Sequence, residues 1–159
     1  MADIAFLLLI FFLVATTIIS DQGIMVRLPP IAPGEPAPIP ERNVFSVKIN
    51  ASDALMAEGQ LAEAGDLRSM VRDFVLNPAR LPDLAAAPNK AVLSLQHDRA
   101  AHYERYIEVY NELVAAYREI WQQKALEIYG SPYEQLSDAA RKAIRKQIPM
   151  VISEAEYGN

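Results

Sequence analysis

Residues 3–19 read Asp3-Ile4-Ala5-Phe6-Leu7-Leu8-Leu9-Ile10-Phe11-Phe12-Leu13-Val14-Ala15-Thr16-Thr17-Ile18-Ile19, one aspartate followed by an apolar run without a charge. A carboxylate beside hydrocarbon is costly when ionised, about 2.5–3.5 kcal/mol at a helix centre on insertion scales, so Asp3 is a candidate functional group. Its natural chemistry is the uptake and release of protons. A helix over Ile4–Ile19 rises about 24 Å at roughly 1.5 Å per residue, short of the roughly 30 Å hydrocarbon core. Extension toward Gly23 lengthens it, and a transmembrane helix over residues 1–23 is expected, its natural start preceding Met1. A cleaved secretory signal wants a positive front and a small-residue cleavage site, whereas the early side-chain charge here is negative. A retained anchor is therefore the better reading. No Lys or Arg precedes the run and Arg27 follows it, so charge flanks do not fix the orientation.

On a helix, Asp3, Leu7, Ile10, Val14, Thr17 and Asp21 recur at spacings of four and three and share one stripe. A lipid-facing stripe gains nothing from a carboxylate and a hydroxyl, while one facing other helices pairs them with partners or water. Asp3 and Thr17 are thus proton-relay candidates. The structural alternatives stay open: Asp3 as an interfacial helix cap facing the positive end of the helix dipole, Thr17 bonding back to its own helix.

Outward from the run, residues 24–42 form a linker. Prolines 29, 30, 33, 36, 38 and 40 favour extended polyproline II, a semi-rigid spacer rising roughly 3.1 Å per residue. Its apolar head, with Ile24, Val26, Leu28 and Pro29, is a candidate partner-binding strip, whereas residues 31–40 read as plain spacer.

Residues 43–159 make a small soluble domain. Phe45, Val47 and Ile49 alternate with Ser46, Lys48 and Asn50, the period of a half-buried strand, and Asn50-Ala51-Ser52-Asp53 supplies turn chemistry. A short strand over Leu55–Glu58 follows. Leu67, Met70, Val71, Phe74 and Val75 share one helical face, which Asn77-Pro78 closes. Ala91–Gln96 reads as a buried strand. The spacing then predicts a long helix over Ala101–Tyr129, with Tyr103, Tyr110 and Tyr117 seven apart beside Tyr106, Leu113 and Ile120. Ser131-Pro132-Tyr133-Glu134 has the pattern of a capping box with proline at the first helical position, so a further helix ending near Lys146 is expected. Pro149–Ser153 gives a last strand before a polar tail. The order β-β-α-β-α-α-β predicts an α+β domain with helices on one face of a sheet.

Composition excludes several function classes. The 159 residues carry a net charge of -5 and no cysteine, so there is no disulfide framework and no thiolate metal site. Nucleic acid is excluded as a partner, because phosphate binding needs clustered Lys and Arg, which here are dispersed among acids. There is no glycine-rich phosphate loop, and His97 and His102 stand five apart, off a common helical face. Neither an enzyme nor a cofactor is expected.

Met1-Ala2-Asp3-Ile4-Ala5-Phe6-Leu7-Leu8-Leu9-Ile10-Phe11-Phe12 resembles the membrane signature of the ExbD/TolR biopolymer transport proteins, in which an aspartate stands near the start of one spanning helix. Leu28-Pro29 resembles the segment that follows that helix, and residues 43–50, 91–98 and Asn111-Glu112-Leu113 look like the family's periplasmic domain. The resemblance implies a single-pass protein of the bacterial inner membrane with a cytoplasmic N-terminus and a periplasmic C-terminal domain. Two copies are implied within a pentameric ring of an ExbB/TolQ-like polytopic partner, in contact with membrane lipid. That complex would turn proton flow into work on a TonB-like protein and so energise outer-membrane transport, with Asp3 the proton-carrying carboxylate. A TolR-like role in envelope integrity fits the same residues, and the rival class is a tethered periplasmic binding or scaffold module. The chain departs from the family in lacking a cytoplasmic tail before the aspartate, and residues 120–159 extend past the usual compact domain.

Overall fold

The structure, a computed structural model, describes residues 2–15 and 39–157. It divides into two units, Met1–Ala37 and Pro38–Asn159. In the first, the described element is a helix, α1, Ala2–Ala15, with Asp3 in its first turn.

The second unit is an α+β fold. Its strands are β1 (Val44–Ile49), β2 (Leu55–Ala57), β3 (Gln60–Leu61), β4 (Val92–Asp98) and β5 (Ile152–Tyr157). Its helices are α2 (Leu67–Leu76), α3 (Tyr103–Tyr129) and α4 (Asp138–Gln147). The sheet is mixed, in the order β3-β2-β1-β4-β5. β1 pairs antiparallel with β2 and parallel with β4, and β5 runs parallel to β4 with Leu93 opposite Ile152. A parallel pair needs a long crossover, which α2 supplies between β1 and β4, and α3 with α4 between β4 and β5.

Alternation assigns the two faces of the sheet. Phe45, Val47, Ile49, Leu93 and Leu95 are buried in one core with Leu67, Val71, Phe74 and Val75 of α2 and Val109, Leu113, Ala116, Tyr117 and Ile120 of α3. Ser46, Lys48, Ser94 and Gln96 fall on the other face. The turn after β1 closes because the Asn50 side-chain oxygen accepts hydrogen bonds from the backbone N–H of Ser52 and Ala54, each 2.9 Å. Asn77 ends α2 in the left-handed region at φ 38°, where its side chain donates to the carbonyls of Leu81 and Ala85 and accepts from Leu81 N–H. Arg42 anchors the same loop through the Leu81 and Leu84 carbonyls.

Three sequence expectations change. First, a short β3 follows β2 through a turn with Glu58 and Gly59 at positive φ, so the order is β-β-β-α-β-α-α-β. Second, Pro132 opens only a single 3-10 turn, Tyr133–Gln135, and not a helix that runs on to Lys146. The Tyr133 N–H is taken by the Gln122 side chain at 2.8 Å, its buried ring stacks on Trp121, and Leu136 returns to extended backbone. α4 starts instead at Asp138, where the Ser137 hydroxyl caps it by accepting from Ala140 N–H. Third, the last strand is displaced from Pro149–Ser153 to Ile152–Tyr157, where β4 offers pairing partners. Most of the expected polar tail is therefore strand.

Candidate functional site

α1 is apolar on every side after Asp3. An amphipathic surface helix carries one apolar stripe, but from Ile4 to Ala15 this helix has no polar side chain to set against it. Its described large apolar side chains, from Ile4 to Phe11, are 44–65 % exposed. Water is a poor solvent for so much apolar surface, and such a segment finds its complement in lipid or in other apolar helices. Asp3, Leu7 and Ile10 lie along one line of the helix, as their spacing predicts. An acid in the first turn also faces the positive end of the helix dipole, so both readings of Asp3 share one geometry. Among the described residues, no helix is long and apolar enough to cross a membrane. Thr17, Ile24, Val26, Leu28 and Pro29 lie outside the described residues.

Within the second unit, three polar groupings cross between elements. The first joins the β1–β2 turn to the start of α3. Asp53, at φ 60°, accepts from the His102 backbone N–H at 2.8 Å and pairs with the His102 ring at 2.6 Å. Arg105 donates to the Asp53 carbonyl and pairs with Glu108. The His102 hydrogen bonds hold the Asp53 carboxyl below the usual aspartate range, and that carboxylate raises His102 above the usual histidine range.

Another grouping is a clamp between α2 and α3. Arg68 engages Glu112 through two guanidinium nitrogens and reaches Glu119 at 3.5 Å, which pushes the guanidinium further into its charged form. Glu112 thus ties the helices at the surface while the adjacent Leu113 is fully buried between them and the sheet.

The third is an aromatic row on the first half of α3. Tyr103, Tyr106 and Tyr110 stack at centroid distances of 5.9 and 6.1 Å, and His97 of β4 packs on Tyr106 at 4.9 Å. The Tyr106 hydroxyl donates to Glu154 of β5 at 2.7 Å; burial and that carboxylate raise its pKa. The tyrosines spaced seven apart grade in burial along the helix: Tyr117 is fully buried, Tyr110 half-buried and Tyr103 74 % exposed. Burial alone lifts the Tyr117 phenol to about 12.

None of these groupings pairs a nucleophile with a base. Among the described residues, no three His, Asp or Glu side chains are placed to hold a metal ion. The largest functional contrast is that between α1, whose apolar surface is turned outward, and a domain that buries its own. Sequence reasoning missed the Asp53–His102 contact, because the two residues stand far apart in the chain and the turn that joins them is set by an αL aspartate.

Comparison with known proteins bears on the α1 side of that contrast. The family model described as biopolymer transport protein ExbD/TolR matches residues 1–120, from α1 to the middle of α3. No curated protein matches the chain. The stretch beyond residue 120, with the end of α3, α4 and β5, lies outside the matched region.

Proposed function

Since the chain belongs to the ExbD/TolR family of biopolymer transport proteins, we propose that it is the single-pass subunit of an inner-membrane complex that converts proton-motive force into work on a TonB-like protein. The family assignment makes it a non-enzymatic energy-transduction subunit of biopolymer transport that assembles with ExbB/TolQ-type membrane proteins. The proposal adds the finer assignment: the ExbB–ExbD–TonB type rather than a TolR-like one, two copies per complex, and the second unit in the periplasm.

The observation that carries this reading is Asp3 in the first turn of a helix with no other polar side chain through Ala15, inside the region that the family model matches. A helix that is apolar all round is accommodated among lipid tails and partner helices. There a protonated Asp3 is neutral and passes apolar surface, while an ionised one favours a polar or cationic partner. Alternation between these states biases the helix between two positions and couples proton passage to movement. Thr17 supplies a hydroxyl on the same stripe, and residues 24–42 carry the movement to the domain, with Ile24, Val26, Leu28 and Pro29 as the contact strip.

Asp3→Asn tests the reading because it is nearly isosteric and cannot be ionised. Energised outer-membrane uptake is expected to be lost, with co-purification of the polytopic partner unchanged. Normal uptake with an intact envelope in that variant would overturn the transducer and favour a tether, which tolerates the change. Normal uptake with a new envelope defect would assign the chain to the TolR-like role instead.

A further inference from the structure

α4 carries Arg141-Lys142-Ala143-Ile144-Arg145-Lys146, and from Ala139 to Ser153 the sequence holds these four cations and no acid. Elsewhere in the chain, whose net charge is -5, Lys and Arg are spread among acids. The helix sorts the residues by face. Ile144 is buried, with Ala140 and Arg141 half-buried beside it, and this side packs toward α3 and the turn over residues 88–90. Lys142, Arg145 and Lys146 are exposed, and spacings of three and four set Lys142 beside both of the others on the solvent side. The acids nearby in sequence are already taken. Asp138 and Glu134 pair with Arg141 at 2.6 and 3.7 Å, and Glu127 pairs with Lys124 at 3.0 Å. Among the described residues, Lys142, Arg145 and Lys146 have no ion-pair partner.

Three cations on one face burden the helix. Lys142 and Lys146, four apart, repel each other, and the negative end of the helix dipole, about half a unit charge, offsets only part of the three. Their complement is an extended array of negative charge, and a bilayer surface with anionic lipids fits three observations. First, α1 has no polar side chain from Ile4 to Ala15, so on the function proposed above the domain is tethered at a bilayer, where headgroups stand at high effective concentration. Second, the exposed Ala139 and Ala143 beside the cations let the helix lie close to a flat surface. Third, Met150 and Val151, exposed just after α4, are apolar side chains of the kind that an interfacial segment sinks among headgroups. The chain as a whole is acidic and is repelled by the same surface, so α4 decides which side of the domain approaches.

We propose that the outer face of α4 docks the domain on anionic phospholipid, with Lys142, Arg145 and Lys146 pairing with headgroup phosphates. The proposal rests on the membrane placement of α1 and goes beyond the transducer reading, because it gives the domain a docked and a released position. α4 lies beyond residue 120, so this surface belongs to the part of the chain that the family model does not cover.

The test places the full chain in lipid nanodiscs of phosphatidylcholine, with or without added phosphatidylglycerol, and spin-labels the lipid headgroups. Broadening of backbone amide signals then reports which residues the headgroups approach. Broadening centred on residues 142–146 is expected with phosphatidylglycerol, absent without it and reversed by salt. Lys142→Gln with Arg145→Gln and Lys146→Gln is expected to lower the ratio of docked to free domain about a hundredfold, from about fivefold per cation near an anionic surface. Lys142→Arg with Arg145→Lys and Lys146→Arg is expected to retain docking. Lys48→Gln with Arg80→Gln and Arg118→Gln removes equal charge from other exposed positions and is expected to change nothing. Equal losses in both Gln triples, or equal broadening in the two kinds of disc, would overturn the proposal. Docking seen only in discs that hold more than one copy would assign the face to a second chain and overturn it as well. Labels at the acyl-chain ends separate this outcome from that of the proposed function. Broadening of residues 4–11 by those labels, with none on α4 from the headgroups, would overturn the docking alone; absence of both would overturn the placement of α1 on which the two readings stand.

Discussion

α1 and α3 are both rich in apolar residues, and they use them in opposite ways. In α3 the apolar positions recur at helical spacing, so Val109, Leu113, Ala116, Tyr117 and Ile120 reach one core while Arg118 and Glu119 face solvent. In α1 every position from Ile4 to Ala15 is apolar, so no orientation on a folded domain could cover all of them. Periodicity is what lets a helix be buried by its own chain. Without it, a helix has no single face that packing within its own chain could cover, and the proposed function rests on that property of α1.

The sharpest way to break that contrast is to truncate one leucine in each helix of the full chain and follow unfolding by the fluorescence of its one tryptophan, Trp121. Leu113→Ala leaves a cavity in a fully packed site and is expected to destabilise the domain by about 2–5 kcal/mol. Leu8→Ala removes a side chain that is half open to its surroundings, and a change within about 0.5 kcal/mol is expected. Equal shifts would mean that Leu8 is buried by the folded chain, and the contrast would fall.

Next in size is Asn77, the residue that ends α2. It holds a left-handed φ of 38° and three hydrogen bonds to the following loop. Asn77→Ala is expected to cost about 2–3 kcal/mol, from the unfavourable backbone region and the unpaired groups left behind. Asn77→Gly, which tolerates that backbone, should recover the smaller part. Full recovery by glycine would show that the side-chain bonds contribute nothing.

A smaller change of opposite sign is expected at Tyr117. Its ring is fully buried and, among the described residues, its hydroxyl has no hydrogen-bond partner. Tyr117→Phe removes an unsatisfied polar group without opening a large cavity, so the domain should gain up to about 1 kcal/mol. A loss of that size would reveal a partner for the phenol. The ladder of tyrosines was legible at its spacing of seven, but spacing does not say where along α3 the sheet ends. Tyr103 and Tyr117 therefore read alike in the sequence and differ completely in burial.

The same limit explains what was legible elsewhere. β1, α2, β4 and α3 announce themselves because a buried face imposes a period on the residues, and Phe45, Val47 and Ile49 are buried as their alternation required. β5 imposes none: as an edge strand with exposed positions after Ile152, it has polar residues where a core strand would show alternation. Its existence is decided by the unpaired side of β4, which no local pattern records. The start of α4 failed for a related reason. Ser131-Pro132 and Ser137-Asp138 both carry start signals, and the choice between them was made by Trp121 and Gln122, which capture Tyr133. For the candidate site, Asp3 was visible because a charge before an apolar run needs no tertiary information, whereas Asp53 and His102 meet only once β1, β2 and α3 are assembled.

That assembled contact gives the smallest expected effect, and its signature is a dependence on pH. His102 is raised by the Asp53 carboxylate, so its contribution is present below the ordinary histidine range and is lost as pH rises through the raised value. Asp53 is lowered by the His102 hydrogen bonds, so its contribution is present above the ordinary aspartate range and is lost as pH falls through the lowered value. The pair therefore acts in the window between them. Both side chains are solvent-screened, and a slight stability difference between wild type and His102→Gln is expected inside that window, fading toward alkaline pH. An NMR titration of the His102 ring should place its midpoint above the ordinary 6.5. The backbone N–H of residue 102 still reaches Asp53 in the Gln variant, so a difference that did not change with pH would assign the contact to the turn and not to the charge.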